Sequence, residues 1–428
     1  MFSSQSDVPF TTLTRRRSHC EKNRQSEHCI YPDRYQGHSL ASHFQPIYSV
    51  AHRRPIGYEG LIRAQSQQGI SIPPLELLSL PENGAERLML DRLCRAQHVQ
   101  NFTSQSTHNE WLFVNLNAQS LISEHPNVGF TQRLLEYSGL APHRLVIEIL
   151  ENEVDDVNRL KSYIDYFHQL NCLIAIDDFG AGHSNFDRIW QLQPDIVKLD
   201  RNLIREAAQN QRAAGILSGI ISLLHQTGSL VVVEGIETDQ EATTAIAANA
   251  DMLQGFYFAS PAPLLLTENT ASDTIDQLLF KQQDQRSQHS KTEAENISHL
   301  KNLFQRALND FIRHQNLAQS SAHIFTDPRA VRCFLLDENG HQTKSTLNVF
   351  HHRQQIELRF APLLCGDKGN WSHRPYHYKA VDQPGTTIIS EPYLSVADSR
   401  MCITLSQAIK MGDRLNVFCC DLDWQQAP

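Results

Sequence analysis

Short apolar runs alternate with longer stretches of helical spacing through residues 40–260. The runs are FQPIYSV (44–50), WLFVNL (111–116), RLVIEIL (144–150), CLIAID (172–177), DIVKLD (195–200) and LVVVEG (230–235). Each is continuous rather than strictly alternating, as strands buried on both faces are. Between them, residues 84–100, 154–169 and 210–226 carry the spacing of helices. Strands that alternate with helices predict a parallel α/β arrangement. About eight strand candidates in roughly 220 residues fit a (β/α)8 barrel better than an open sheet.

The pattern changes after residue 265. Residues 266–296 are polar and read as a linker with one helix. Residues 294–317 place Ile297, Leu300, Phe304, Leu308 and Phe311 on one helical face, which predicts an amphipathic helix. It either packs on its own domain or forms a signalling dimer. Beyond it, VRCFLLD (331–337), QIELRFA (355–361), TIIS (387–390), MCITLS (401–406) and LNVFCCDLD (415–423) suggest a smaller antiparallel α+β module. The expected organisation is a mobile N-terminal tail (1–36), a barrel (37–265), a linker (266–296) and a second domain (297–428).

Charge sharpens this division. The 428 residues carry a formal charge of −9. Residues 37–265 hold 15 Lys+Arg against 25 Asp+Glu, so the excess acid lies in the barrel segment. That balance argues against a protein that grips DNA or anionic membrane by charge alone. No run approaches the roughly 20 apolar residues of a membrane span. Arg15-Arg16-Arg17 is followed by no apolar segment of the kind that marks a secretory signal. The nine cysteines are odd in number, irregularly spaced and free of CxxC pairs. Neither a disulfide framework nor a zinc finger is supported, and a reducing cytoplasm is expected.

A barrel places its chemistry where strands finish. Here nearly every strand candidate ends in a carboxylate, amide or amine: Glu59, Asn115, Glu148 and Glu151, Asp177 and Asp178, Lys198 and Asp200, Glu234 and Glu237, and Gln254. One or two such groups could pair with Arg or backbone. Five to seven on one rim exceed what Lys198 and Arg63 neutralise, and like charges at close range repel. Divalent cations resolve the conflict. Carboxylates with one amide suit Mg²⁺ or Mn²⁺, and the lack of His/Cys clustering argues against zinc. Adjacent Asp177 and Asp178 suit a pair of ions about 3.5–4 Å apart, an arrangement that implies phosphoryl chemistry.

These residues fall in a series of motifs: FQPIYSV, YEGLIR, FVNLN, IEILE, DDFGAG, KLDR, VVEGIE and QGFYFASP, in that order. Steps of 20, 36 and 20 positions separate Asp178, Lys198, Glu234 and Gln254. Residues 40–265 resemble the EAL domain, the phosphodiesterase that hydrolyses cyclic di-GMP to linear pGpG. The resemblance implies a modified TIM barrel with one antiparallel strand, two divalent cations and dimerisation through the face near DDFGAG. It implies that Glu59, Asn115, Glu148 and Asp177 bind one metal, and Asp177, Asp178 and Glu234 the other. Lys198 matches the lysine at the catalytic water, and Arg63 the arginine that grips a substrate phosphate. Gln254 and Glu237 match positions at the substrate and supporting the site, and Glu151 the glutamate that holds the loop after DDFG. Three positions depart from the family pattern. Gly60 stands for the signature's alanine, where it should loosen a strand by about 0.5–1 kcal/mol. Ala181 and His183 stand for the usual Thr and Tyr and should weaken loop order.

Residues 297–428 resemble the Cache/PAS-like sensory domain that follows the EAL domain in YkuI-type proteins. WSHRPY (371–376), ISEPYLS (389–395) and CCDLDW (419–424) carry the likeness. It implies a small-molecule or protein input, with Trp371, Arg374, Tyr376, Tyr393 and Asp421 as pocket candidates. Against this stands a plain core in which the arginine and aspartate pair with each other. The leading expectation is an active phosphodiesterase tuned by this domain. The alternatives are a catalytically inactive cyclic di-GMP receptor and a protein-contact scaffold.

Overall fold

The computed structural model describes residues 33–106, 109–117, 129–150, 157–181, 186–266, 271–343, 346–348, 369–395 and 401–424, with the backbone alone for 33, 157, 288–296 and 348. The chain divides into two compact units between Gln283 and Asp284.

The first unit is a closed barrel of eight strands: β2 (His38–Ser49), β3 (Arg54–Gln65), β5 (Trp111–Asn115), β6 (Leu145–Leu150), β7 (Leu173–Phe179), β8 (Ile196–Leu199), β9 (Leu230–Val233) and β10 (Met252–Leu253). Neighbours from β3 through β10 pair in parallel. Strand β2 closes the ring and is antiparallel to both β3 and β10. Two short strands extend the rim: β1 (Asp33–Tyr35) beside β2, and β4 (Ser71–Ile72) beside β3. Strand β1 shows that the last part of the expected tail is paired structure; residues 1–32 lie outside the described residues.

Seven strands each send one side chain into the barrel axis: Ile47, Phe113, Val146, Ala175, Ile196, Val232 and Met252. All are 1% exposed or less. This plug fills one end, so a polar site is left only toward the strands' C-terminal ends. Outside, Leu112, Val114, Ile147, Ile149, Ile174 and Ile176 pack with Val99 and Phe102 of the helix Gly84–Gln105 and with Leu160, Ile164 and Phe167 of the helix Val157–Gln169. Each such aliphatic side chain is worth about 1.5–3 kcal/mol when fully buried. Polar residues fix where the helices begin. Asn83 accepts from Glu86 N, and Thr238 forms a capping box with Glu241.

The second unit holds an antiparallel sheet in the order β12 (Leu347–Asn348), β11 (Ala330–Asp337), β16 (Arg414–Asp423), β15 (Met401–Met411) and β13 (Ile388–Ile389), with β14 (Tyr393–Leu394) also on β15. Gly412, at φ 62°, turns β15 into β16 through a two-residue hairpin. Phe304 and Phe311 meet Phe418 of this sheet at centroid distances of 5.4 and 5.5 Å. The expected QIELRFA strand lies outside the described residues.

One boundary differs from expectation. The polar stretch read as a linker belongs to a continuous 43-residue helix, Ser272–His314. It contains neither Gly nor Pro, and its Gln, Lys, Glu and Arg residues are good helix formers even where no apolar stripe marks them. Ile275 and Leu278 are buried in the first unit, and Leu300, Phe304, Leu308 and Phe311 in the second.

Candidate active site

The predicted strand-end residues are spread over seven strands. Glu59 lies in β3, Asn115 ends β5, Glu148 lies in β6, Asp177 and Asp178 end β7, and Lys198 lies in β8. Glu234 and Gln254 directly follow β9 and β10. Asp178 has φ 56°, a left-handed conformation that Asp tolerates better than most residues. The β7–β8 register slips at the same place, between Ile176 and Phe179.

Lys198 is the hub. It is fully buried, and its Nζ lies 2.5 Å from Glu234 Oε1, 3.4 Å from Glu59 Oε2 and 3.4 Å from Asp177 Oδ1, and against Glu148 Oε1. These four carboxylates hold its ammonium well above the ordinary lysine range despite burial. One cation does not balance them. Burial, with Glu59, Asp177 and Glu234 nearby, pushes Glu148 well up, and burial with Asp177 and Glu59 does the same to Glu234. Burial and then Asp177 raise Asp178. Glu59 goes the other way. Burial opposes its charge, but Lys198 and hydrogen bonds from Gln254, Lys198 and Asn115 outweigh it.

The donor set fits hard divalent cations. Asp177, Asp178 and Glu234 each offer a carboxylate oxygen, all within 4.8 Å of one another. Glu148 Oε2 is buried with no hydrogen-bond partner. An ionised buried oxygen left without a donor is costly, and a cation compensates it.

Residues 30–261 match the family model described as EAL domain. The chain belongs to the EAL-domain family. A similar relative is the uncharacterised EAL-domain protein YkuI of Bacillus subtilis strain 168, 28% identical over 348 residues, which covers 78% of this chain and 82% of YkuI. Cyclic di-GMP phosphodiesterase PdeL of Escherichia coli K12 is 24% identical over 238 residues, 53% of this chain and 64% of PdeL. The crystal structure of YkuI with cyclic di-GMP and calcium superposes with a TM-score of 0.74 at 23% identity, over 90% of this chain and 96% of that one.

The remaining predicted residues of the EAL domain are placed as follows. Gln254 is 3% exposed and turns its amide inward, donating to Glu59 Oε2 at 2.7 Å and to Gln45 Oε1 at 3.3 Å. The first of these hydrogen bonds holds the Glu59 carboxylate. Gln45, opposite Glu59 on β2, is a supporting residue that motif reading passed over; its signal was the Gln of FQPI. Glu237 stands apart from the cluster, exposed, 3.8 Å from Arg201. Asp200 caps the helix Arg201–Gln209 through Asn202 N. Arg63 is half-buried and donates to its neighbour's carbonyl, Ile62 O. Glu151 and His183 lie outside the described residues.

Gly60 is not a loose point. An added Cβ would lie 2.8 Å from His98 Cγ, so the histidine ring fills the space that a methyl would take.

In the second unit, the five pocket candidates divide. Tyr376 and Tyr393 stack at 5.9 Å, and the Arg374 guanidinium lies 5.3 Å above the Tyr393 ring. Trp371 packs against the same cluster. Asp421 is committed within the core. It accepts from Thr404 Oγ1 at 2.7 Å and Tyr393 OH at 3.2 Å, and pairs with Arg332 Nε at 3.0 Å. The expected plain-core pairing therefore exists, with Arg332 in place of Arg374.

Among the described residues, no helix is long and apolar enough to cross a membrane. Cys94, Cys172, Cys333, Cys419 and Cys420 carry free thiols.

Proposed function

We propose that the chain is a metal-dependent phosphodiesterase that hydrolyses cyclic di-GMP to linear pGpG. The observation that carries the reading is the gathering of five carboxylates, Asn115 and a buried lysine at the strand ends of an EAL barrel. The relation to PdeL, a cyclic di-GMP phosphodiesterase, and to YkuI, whose crystal structure holds that nucleotide, supports this substrate class.

Glu59, Asn115, Glu148 and Asp177 hold one Mg²⁺ or Mn²⁺ ion, and Asp177, Asp178 and Glu234 the second. Bound there, divalent cations supply a water acidic enough to attack at neutral pH and positive charge opposite the leaving alkoxide. Lys198 holds the attacking water and offsets charge that develops on the phosphodiester. Arg63, with no carboxylate on its guanidinium among the described residues, takes a phosphate oxygen. Gln254, fixed by Gln45, keeps Glu59 aimed at the centre. The chain works in a reducing cytoplasm, as the free thiols suggest, and as a homodimer through the EAL domain. The second unit, a PAS/Cache-like sensor, tunes its rate.

Incubating the full chain with cyclic di-GMP and Mg²⁺ or Mn²⁺, with products resolved chromatographically, tests this. pGpG is expected with either metal. Binding without turnover under both metals overturns the reading and leaves the receptor.

A further inference from the structure

Behind Glu59, on the outer face of β3, sits a polar layer that no catalytic role accounts for. His98, on the helix Gly84–Gln105, is 4% exposed. Its Nδ1 lies 2.8 Å from Ser42 Oγ, and Asn101 Nδ2 donates to the same hydroxyl at 3.2 Å. Ser42 belongs to β2, where it stands opposite Ile62, and the next-but-one residue Phe44 stands opposite Gly60. The His98 ring meets Phe44 edge-on at 6.4 Å. The ring is therefore tied to β2 and laid against β3, directly behind the residue that carries Glu59.

There is no slack in this contact. A Cβ on Gly60 would lie 2.8 Å from His98 Cγ, 3.1 Å from its Cβ and 3.2 Å from its Cδ2. Ordinary carbon contacts are about 3.5–4.0 Å. The ring has little freedom to swing aside, because Ser42 and Phe44 hold it and one of the crowded atoms is its own Cβ. An added methyl would push β3 instead, by a sizeable fraction of an ångström, toward the barrel axis. Metal ligands tolerate displacements of about 0.5 Å.

We propose that Gly60 is matched to His98: the ring behind β3 leaves room for no side chain at position 60, so the glycine keeps Glu59 where the first metal needs it. The proposal rests on the metal-centre reading given above. It makes the glycine in this chain's signature an adaptation to the histidine behind it, not a weakening of the strand.

The full-length wild type, Gly60→Ala and Gly60→Ala/His98→Ala are compared by calorimetric titration with Mn²⁺ and by cyclic di-GMP turnover. Gly60→Ala is expected to weaken Mn²⁺ binding about tenfold or more, the scale of losing a supporting partner at a metal site. Its kcat falls, while KM at saturating Mn²⁺ stays within about threefold. The double variant is expected to return within about threefold of wild type in both readouts, because the ring contacts at 2.8 and 3.2 Å are gone and the remaining 3.1 Å contact with Cβ needs only a small shift. Wild-type Mn²⁺ affinity in Gly60→Ala, or a double variant no better than the single one, overturns the proposal. Should Gly60→Ala fail to fold, the double variant decides: folded with near wild-type Mn²⁺ affinity supports the pairing, and unfolded or folded with weak affinity overturns it. Titration needs no turnover. A wild type that binds Mn²⁺ without hydrolysing cyclic di-GMP therefore overturns the proposed function, while the pairing is still judged by affinity.

Discussion

Replacing Lys198 by methionine removes the ammonium at the centre of the carboxylate cluster while nearly preserving its volume. Four carboxylates lie around that nitrogen, at 2.5 Å for Glu234 and 3.4 Å for Glu59 and Asp177, with Glu148 also in contact. Lys198 is fully buried, and Glu148 is 1% exposed. Breaking a buried pair by removing one partner costs about 3–5 kcal/mol, because the other charge is left in a poor medium. In a barrel of this size that corresponds to a fall in Tm of about 10 °C. Protonation limits the loss. Glu148 and Glu234 are already pushed up by burial and by their neighbours, and they rise further without the lysine. A carboxyl raised on folding favours the fold below its unfolded value near 4.3, and that contribution is lost as pH rises through the folded value. The deficit of Lys198→Met in EDTA should therefore be larger at pH 8 than at pH 6. Mn²⁺ should recover part of it, since a cation that binds only the folded state stabilises it by mass action. Thermal unfolding at both pH values, with EDTA and with Mn²⁺, reads all three effects. A deficit that is equal at the two pH values and indifferent to Mn²⁺ would refute the electrostatic account.

Glu59→Ala should abolish pGpG formation if the chain is an enzyme, whereas a receptor would keep its cyclic di-GMP response; a product assay beside a binding assay separates the two. Burial lowers the His98 imidazole to about 4. The unfolded chain takes up that proton first, so this group costs the fold about 3 kcal/mol as pH falls from 6.5 to 4; denaturant unfolding should show His98→Gln to be less acid-sensitive than wild type. Asp421→Asn removes the carboxylate that pairs with the buried Arg332 and should destabilise the second unit by about 3–5 kcal/mol in thermal unfolding, with Mn²⁺ affinity unchanged. Cys172 is 2% exposed, and burial raises its thiol to about 12, so mass-spectrometric mapping after alkylation at pH 8 should find it unmodified in the folded chain.

The barrel and its rim were legible in the sequence because both follow from local pattern. Buried parallel strands are continuous apolar runs, and the residue that ends each run is the residue that faces the mouth, as Asn115, Asp177 and Glu234 show. What the pattern could not carry was contact between distant positions. His98 and Gly60 are ordinary residues in their own segments, and only the packing of a helix on a strand makes them partners. Gln254 was recognisable as a site residue, but its inward turn toward Glu59 depends on Gln45, more than 200 positions away in the chain. The long helix escaped for a different reason. Its middle has no apolar stripe, so composition read as a linker where the lack of Gly and Pro allowed the backbone to stay helical.

The reversed direction of β2 has a consequence for where the chain meets the site. A barrel whose first strand ran with the others would receive its chain at the plugged end. Here Ala41 stands opposite Arg63 and Ser39 opposite Gln65, so β2 begins at the level where β3 finishes. The polypeptide enters the barrel at the rim, beside Arg63, the arginine proposed to take a phosphate oxygen.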